Sequence, residues 1–287
     1  MAEKNNEKPL VSVVTPNYNY AHYIGATIES LLNQDYPHIE HVIVDDGSTD
    51  NSVEVIQAYV DQHPGRVKLV TQENQGQTPA INEALNHVTG TLIGWINSDD
   101  TYCDNTVISS VVDAFVKTPG TDVVFGDYAL IDKDDNLIAK VKELDMDLQV
   151  GACMGFANII KSNCIVWTAD RMETSGRLNN DFKYNMDGEF FSRLIPGAEV
   201  KHIPVHIANW RWHDACRTWQ VRDVPPKIVA EWNRERQQTY HLLPFSKIVP
   251  FTWCGPFRTI YRARRVFQRL IKGHYKDRWK LRRKFDY

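Results

Sequence analysis

Short β-branched runs alternate with stretches of helical apolar spacing through the first hundred residues. Residues 10–15 (LVSVVT), 39–44 (IEHVIV), 67–71 (VKLVT) and 92–96 (LIGWI) have the length and Val/Ile content of buried strands. Between them, Ile24, Ile28, Leu31 and Leu32 share one face of a helix over 24–33. A second helix begins near Ser52, and a third covers 80–88 before Gly90 ends it. Residues 16–20 (PNYNY) break the first strand. Such alternation predicts an α/β domain with a mainly parallel central sheet flanked by helices. Further on, 122–130 (DVVFGDYAL) and 137–141 predict a hairpin, and Phe190, Phe191 and Leu194 mark another helix.

In parallel sheets ligands bind beyond the carboxyl ends of the strands. The polar motifs collect there: 16–20 after the first strand, Asp45-Asp46-Gly47-Ser48-Thr49-Asp50 after the second, and Asn97-Ser98-Asp99-Asp100 after the fourth. Two adjacent carboxylates repel, so a protein that holds them at a strand end usually supplies a cation. The local ligands are oxygens, which suits Mg²⁺ or Mn²⁺. A loop of solvated acids, or a cap for the next helix, is the alternative. Neither GxGxxG nor GxxxxGK[ST] follows the first strand, so nucleotide phosphates would need a metal in place of a glycine nest. Asp127 reads equally as a turn acid or a contact to a ligand. Asp187 reads equally as a first-turn helix acid or a group facing the cleft. Cys164, in an apolar context, reads as a packed residue.

Composition narrows the class. The chain is 43% hydrophobic and 24% charged, ordinary for a globular protein with a sizeable core. Its five cysteines are dispersed and form no zinc spacing, which points to reduced thiols in the cytoplasm. No signal-like segment opens the sequence, and no apolar run reaches membrane-spanning length. Charge is unevenly placed: residues 258–287 hold 12 of the 33 basic residues and 2 of the 36 acidic ones. That tail, with Phe257, Ile260, Tyr261, Phe267, Leu270 and Ile271 on one helical face, predicts a basic amphipathic helix able to lie on an anionic membrane. No nucleic-acid motif accompanies the charge.

The motifs SVVTPNYN, HVIVDDGSTDNS, NQGQTPAINEAL, WINSDD, YNMDGEFFSRL and WRWHD, in this order across residues 11–218, resemble the family-2 glycosyltransferases, inverting enzymes of the Rossmann-like GT-A fold. The resemblance implies a nucleotide-sugar donor, UDP-linked, and a divalent metal, Mn²⁺ or Mg²⁺. Pro16, Tyr18, Asp46, Gly76, Asn82, Asn97 and Ser98 would bind the donor, with Asp46 on the base and Asn97 and Ser98 beside the ribose. Asp99 and His213 would hold the metal, with Asp100 as a further candidate. Asp187 would be the general base, and Glu189 its understudy. Asn97 departs from the family pattern, where an Asp is common. The QxxRW signature of processive members is absent, which favours one sugar per encounter.

The expected organisation is a disordered start (1–9), a GT-A domain (10–220) and a helical C-terminal extension with its basic tail (221–287). The GT-A domain divides into a nucleotide half (10–101) and an acceptor half (102–220). The expected acceptor is a glycan or lipid-linked sugar, and the expected location is the cytoplasm, peripheral to the inner membrane face. A catalytically silent nucleotide-sugar binder and a nucleotidyltransferase are the competing readings.

Overall fold

The computed structural model describes residues 8–143, 160–213 and 226–241, together with Ala263. The expected disordered start, apart from Lys8 and Pro9, lies outside the described residues, as does the amphipathic tail apart from Ala263. The chain runs β1 (Val11–Asn17), α1 (Ala21–Leu32), β2 (Ile39–Asp45), α2 (Ser52–Gln62), β3 (Val67–Thr71), α3 (Gln77–Ala84) and β4 (Leu92–Trp95). It continues through β5 (Thr101–Tyr102), α4 (Val107–Lys117), β6 (Val123–Asp132), β7 (Leu137–Val141), β8 (Ile165–Thr168) and α5 (Ala169–Ser175). Then follow α6 (Met186–Leu194), β9 (Val200–Trp212) and α7 (Pro226–His241).

The described strands form one mixed sheet in the order β3-β2-β1-β4-β8-β6-β9-β5, with β7 paired to β6. The four strands of the first half are parallel. β8 runs antiparallel between β4 and β6, and β9 runs parallel to β6. Successive strand residues point to opposite faces, so a sheet covered on both sides needs continuous apolar runs. Val11 and Val13 pack with Val107, Ile108 and Val111 of α4. Val14, Val42 and Val44 pack on the other face with Ala80 and Ile81 of α3 and with Phe190 and Phe191 of α6. Each such side chain, fully buried, contributes about 1.5–3 kcal/mol over an exposed one.

Two boundaries differ from the sequence reading. Pro16 does not end β1, which pairs with β2 through Pro16↔Val44 and Asn17↔Asp45. Backbone groups alternate sides along a strand. Val14 accepts from Ile96 on the β4 side and Asn17 accepts from Asp46 on the β2 side, so the Pro16 nitrogen faces the side where β4 has already stopped. Its missing N–H costs no ladder bond there. Helix α3 begins at Gln77, which places Pro79 in the first turn, where backbone N–H groups have no helical partner.

From β1 the chain winds outward to β2 and β3, then returns to place β4 on the other flank of β1. The carboxyl ends of β1 and β4 therefore border a topological switch point, the usual place for a ligand crevice in an open α/β sheet.

Candidate active site

The loop after β1 and the acidic turn after β2 are tied together. Asn19, at φ 57°, accepts from the Thr49 and Asp50 N–H groups at 2.7 and 3.3 Å. Asn tolerates this left-handed conformation better than most residues. Asp45 accepts from Asn17 Nδ2 at 2.8 Å and from Ser48 N–H and Oγ at 2.9 and 2.6 Å, so it organises the turn. Asp46 accepts at Oδ1 from Gln72 Nε2 and Gln75 N–H, and at Oδ2 from Gly76 N–H at 2.8 Å. Among the described residues one acceptor site on Oδ2 remains open. Gly76, at φ 97°, contributes its amide to Asp46, and the left-handed backbone is what demands glycine there. Tyr18, 44% exposed, stands at the rim as a free ring.

After β4 the four polar residues diverge. Asn97 accepts from Trp95 Nε1 and Gln77 Nε2 at 3.1 and 3.2 Å, and donates to Asp100 Oδ2 at 3.1 Å. Its amide is thus fixed in orientation. Ser98 is buried, and its carbonyl accepts from Thr27 Oγ1 at 2.9 Å. Asp100 is fully buried and accepts from Arg211 N–H, Asn97 and Asn163 Nδ2. Burial, then the neighbouring Asp99 charge, pushes its carboxyl well above the ordinary aspartate range. Asp100 is therefore a clamp joining the loop after β4 to the turn before β8 and to β9. With no exposed surface and three of its four acceptor sites taken it is a strut, which argues against the ligand role expected for it.

Asp99 points the other way. Its Oδ2 lies 3.0 Å from His213 Nε2, and the ring of His213 lies 4.8 Å from Tyr23 and 5.8 Å from Tyr20, centroid to centroid. Arg211, buried beneath, donates its Nε to the Asp99 carbonyl at 2.8 Å and pairs with Asp135 at 2.7 Å. The arginine thereby fixes the backbone that aims Asp99. Among the described residues no group of three or more His, Cys, Asp or Glu forms a metal cage. A carboxylate and an imidazole still fit a divalent ion of the Mg²⁺ type, which commonly completes its shell with substrate phosphates and water.

Asp187 is the second residue of α6 and is half-buried. Burial pushes its carboxyl above the ordinary range, while the Gly188 N–H at 2.7 Å and the Lys161 charge pull it down. Glu189, by contrast, is 1% exposed and held in a two-pronged pair with Arg193 at 2.6 and 2.7 Å, so it cannot serve as understudy. A short path joins Asp187 to the strand ends. Gln77 bonds Asn97, the next residue Thr78 bonds Met186 Sδ and the Phe182 carbonyl at 2.8 Å each, and Asp187 follows Met186.

The sequence reading missed the support behind Asp187. Glu235, on α7 and 1% exposed, accepts from the N–H groups of Lys183, Tyr184 and Asn185 at 2.9, 2.9 and 2.8 Å. Asn185 also donates to Thr239 at 3.1 Å. The C-terminal extension therefore holds the loop that launches α6. Nothing in the sequence signals this, because the partners are some fifty residues apart and match no motif. Arg211 was quoted in WRWHD without a role.

Two further residues have structural partners. Asn82, expected at the donor, bonds the Leu178 carbonyl and N–H and the Asn180 side chain, so its amide fastens α3 to the 178–180 loop and both of its donors are taken. Asp127 is neither a turn acid nor exposed. It is buried on β6, accepting from Glu143 N–H at 2.9 Å and lying 3.0 Å from His202 Nε2.

The mixed sheet, with its polar residues at the β1–β4 switch point, is the GT-A fold of glycosyltransferases. TarS residues 1–349 of S. aureus in complex with UDP-GlcNAc has this fold, with a TM-score of 0.64 at 19% identity over 80% of this chain and 66% of that one. So does the mannosyltransferase PcManGT from Pyrobaculum calidifontis in complex with GDP-Man and Mn²⁺, with a TM-score of 0.58 at 17% identity over 98% and 88%. The model of glycosyl transferase family 2 matches residues 12–173, and the chain belongs to that family. It is 29% identical to TuaG of Bacillus subtilis (strain 168), named for teichuronic acid biosynthesis, over 75% of this chain and 88% of that protein. It is 36% identical to the chondroitin synthase of Pasteurella multocida (strain Pm70) over 84% of this chain but only 25% of that larger protein.

Proposed function

We propose that the chain is an inverting transferase that moves one sugar from a UDP-sugar to an acceptor hydroxyl, in the synthesis of a polysaccharide, glycolipid or cell-surface glycan. What supports this reading is the pairing of Asp99 with His213 after β4, together with the Asn97–Gln77 and Thr78–Met186 bonds that tie the same strand end to the start of the helix carrying Asp187. The names of relatives acting in teichuronic acid and chondroitin synthesis support the acceptor class. The UDP-GlcNAc and GDP-Man complexes of the structural neighbours support the donor class.

Asp187 accepts the proton of the acceptor hydroxyl as that oxygen attacks the anomeric carbon, and its raised pKa makes it a better base than an ordinary aspartate. Bond formation and departure of the nucleoside diphosphate occur on opposite faces, so configuration inverts. Asp46 and Tyr18 would hold the nucleoside, and Asn97, its amide fixed by Trp95 and Gln77, the ribose. Asp99 and His213 would hold a divalent ion, which when bound supplies positive charge to the diphosphate oxygens.

Incubation with UDP-, GDP- and dTDP-sugars plus Mn²⁺ tests the reading. Slow release of a nucleoside diphosphate supports the transferase. Binding without turnover, even with acceptors, would indicate a silent binder, and pyrophosphate exchange a nucleotidyltransferase. In the same assay Asp99→Ala should weaken metal-dependent donor binding by about tenfold or more, the usual scale for a damaged metal site.

The basic segment 258–287 is the proposed membrane contact, at about 1 kcal/mol per Lys or Arg near an anionic surface. Among the described residues no helix is long and apolar enough to cross a membrane. Deleting 258–287 should abolish pelleting with anionic liposomes, and unchanged pelleting would rule the contact out.

A further inference from the structure

Lys161 has no part in the mechanism above, yet it stands at the same crevice. It directly precedes the short 3-10 turn Ser162–Cys164, whose Asn163 bonds Asp100 at 2.9 Å. The Lys161 side chain is half-buried, and its Nζ lies 3.8 Å from the centre of the Trp210 ring. Among the described residues it is in no hydrogen bond or ion pair. The acids whose charge it feels are Asp187, Glu143 and Asp100. Asp100 accepts from three donors and Asp187 from Gly188, and among the described residues neither accepts from the ammonium.

An ammonium has three N–H donors, and the face of an indole satisfies them poorly. Desolvating it without an anion is unfavourable, and burial accordingly pulls the Lys161 pKa down. The Asp187, Glu143 and Asp100 carboxylates pull the pKa the other way. What remains is an ammonium group over Trp210, its donors unbonded among the described residues, within electrostatic reach of the residue assigned as base.

We propose that Lys161 is an oxyanion-binding residue of this crevice, taking a phosphate oxygen of the donor or a carboxylate oxygen of an acidic acceptor. The proposal deepens the sugar-transfer reading and rests on it for the identity of the two substrates. Either source puts a fixed protein cation near the reacting centre. A donor diphosphate would then depend less on Asp99 and His213 alone, which matters because Asn97 brings no charge. An acidic acceptor would instead be selected over a neutral one.

The test uses the full chain in EDTA, so that no divalent ion contributes. Wild type, Lys161→Gln and Lys161→Arg are titrated calorimetrically with uridine, UDP, pyrophosphate, and a uronate-bearing oligosaccharide with its neutral counterpart. A charge-assisted hydrogen bond predicts that the Gln variant loses about tenfold or more in affinity for the relevant anion, with Arg largely preserving it. Loss toward UDP and pyrophosphate, with uridine unchanged, assigns the donor diphosphate. Loss toward the uronate oligosaccharide alone assigns the acceptor. Equal affinity of wild type and Gln variant for every anion, or no binding of any anion by wild type, overturns the proposal. Failure of wild type to bind uridine and UDP while it binds pyrophosphate or uronate would overturn the nucleotide reading and leave Lys161 standing. The Arg variant, which keeps both charge and bulk, carries the comparison if the Gln variant unfolds. It then has to bind each anion as wild type does, and a tenfold loss there would overturn the role.

Discussion

Asp187→Asn is expected to abolish sugar transfer, lowering the rate by about 10²–10⁴ as loss of a general base does, while donor binding changes little. The substitution keeps the shape of the side chain and removes only its basicity. The pH dependence gives an independent signature. Asp187 must be ionised to accept a proton, and burial raises its pKa, so wild-type activity should fall with decreasing pH at a point above the ordinary aspartate range. Residual activity in the Asn variant should lack that limb.

Stability should move the other way. A carboxyl whose folded-state pKa is raised stabilises the fold below its unfolded value, and that contribution is lost as pH rises through the folded pKa. At neutral pH the Asp187 charge is therefore a cost that the Asn variant removes. Thermal denaturation at pH 7 should find Asp187→Asn at least as stable as wild type. A clear loss of stability would instead make Asp187 a structural cap for α6.

Glu235→Ala has the second large effect, on both stability and turnover. It leaves the N–H groups of Lys183, Tyr184 and Asn185 without their acceptor, the last of them in a buried place. Orphaning donors that were bonded to a charge costs about 3 kcal/mol or more, or roughly 6 °C in melting temperature for a domain of this size. Glu235 acts on the chemistry only through the loop that launches α6, so it is a positioning residue. Its loss should lower kcat by more than it raises KM for the donor, since the proposed donor contacts lie in the loops after β1, β2 and β4. Glu235→Gln keeps one acceptor oxygen but turns an amide NH₂ toward backbone N–H groups, and Glu235→Asp keeps the charge on a shorter arm. Partial rescue of kcat by Asp, beyond its rescue of melting temperature, separates positioning from simple stabilisation. Equal falls in kcat and KM across all three variants would refute the positioning role.

These residues show how far the chain could be read before folding. The parallel half was legible because its strands, buried on both faces, need the continuous Val and Ile runs that residues 11–14 and 42–44 supply. The DDGSTD turn was legible for a similar reason, since Asp45 forms local bonds to Ser48, while the turn's tie to Asn19 comes from a segment thirty residues away. The boundaries of β1 and α3 were not, because Pro16 and Pro79 are permitted by what lies beside them and not by their own propensity.

The sequence by itself determined the α/β class, the polar strand ends and the family, since periodicity and contiguous motifs are local and survive in one dimension. The division of labour was decided in three dimensions. Asp99 and Asp100 are chemically identical neighbours, yet one reaches His213 and the other is sealed among Arg211, Asn97 and Asn163. Glu189 is neutralised by Arg193, Asn82 is committed to the 178–180 loop, Lys161 is set over Trp210, and Glu235 reaches back some fifty residues to hold the loop before α6. Whether a carboxylate is a ligand, a base or a strut depends on which donors and how much water surround it, and only the packing of remote segments sets that.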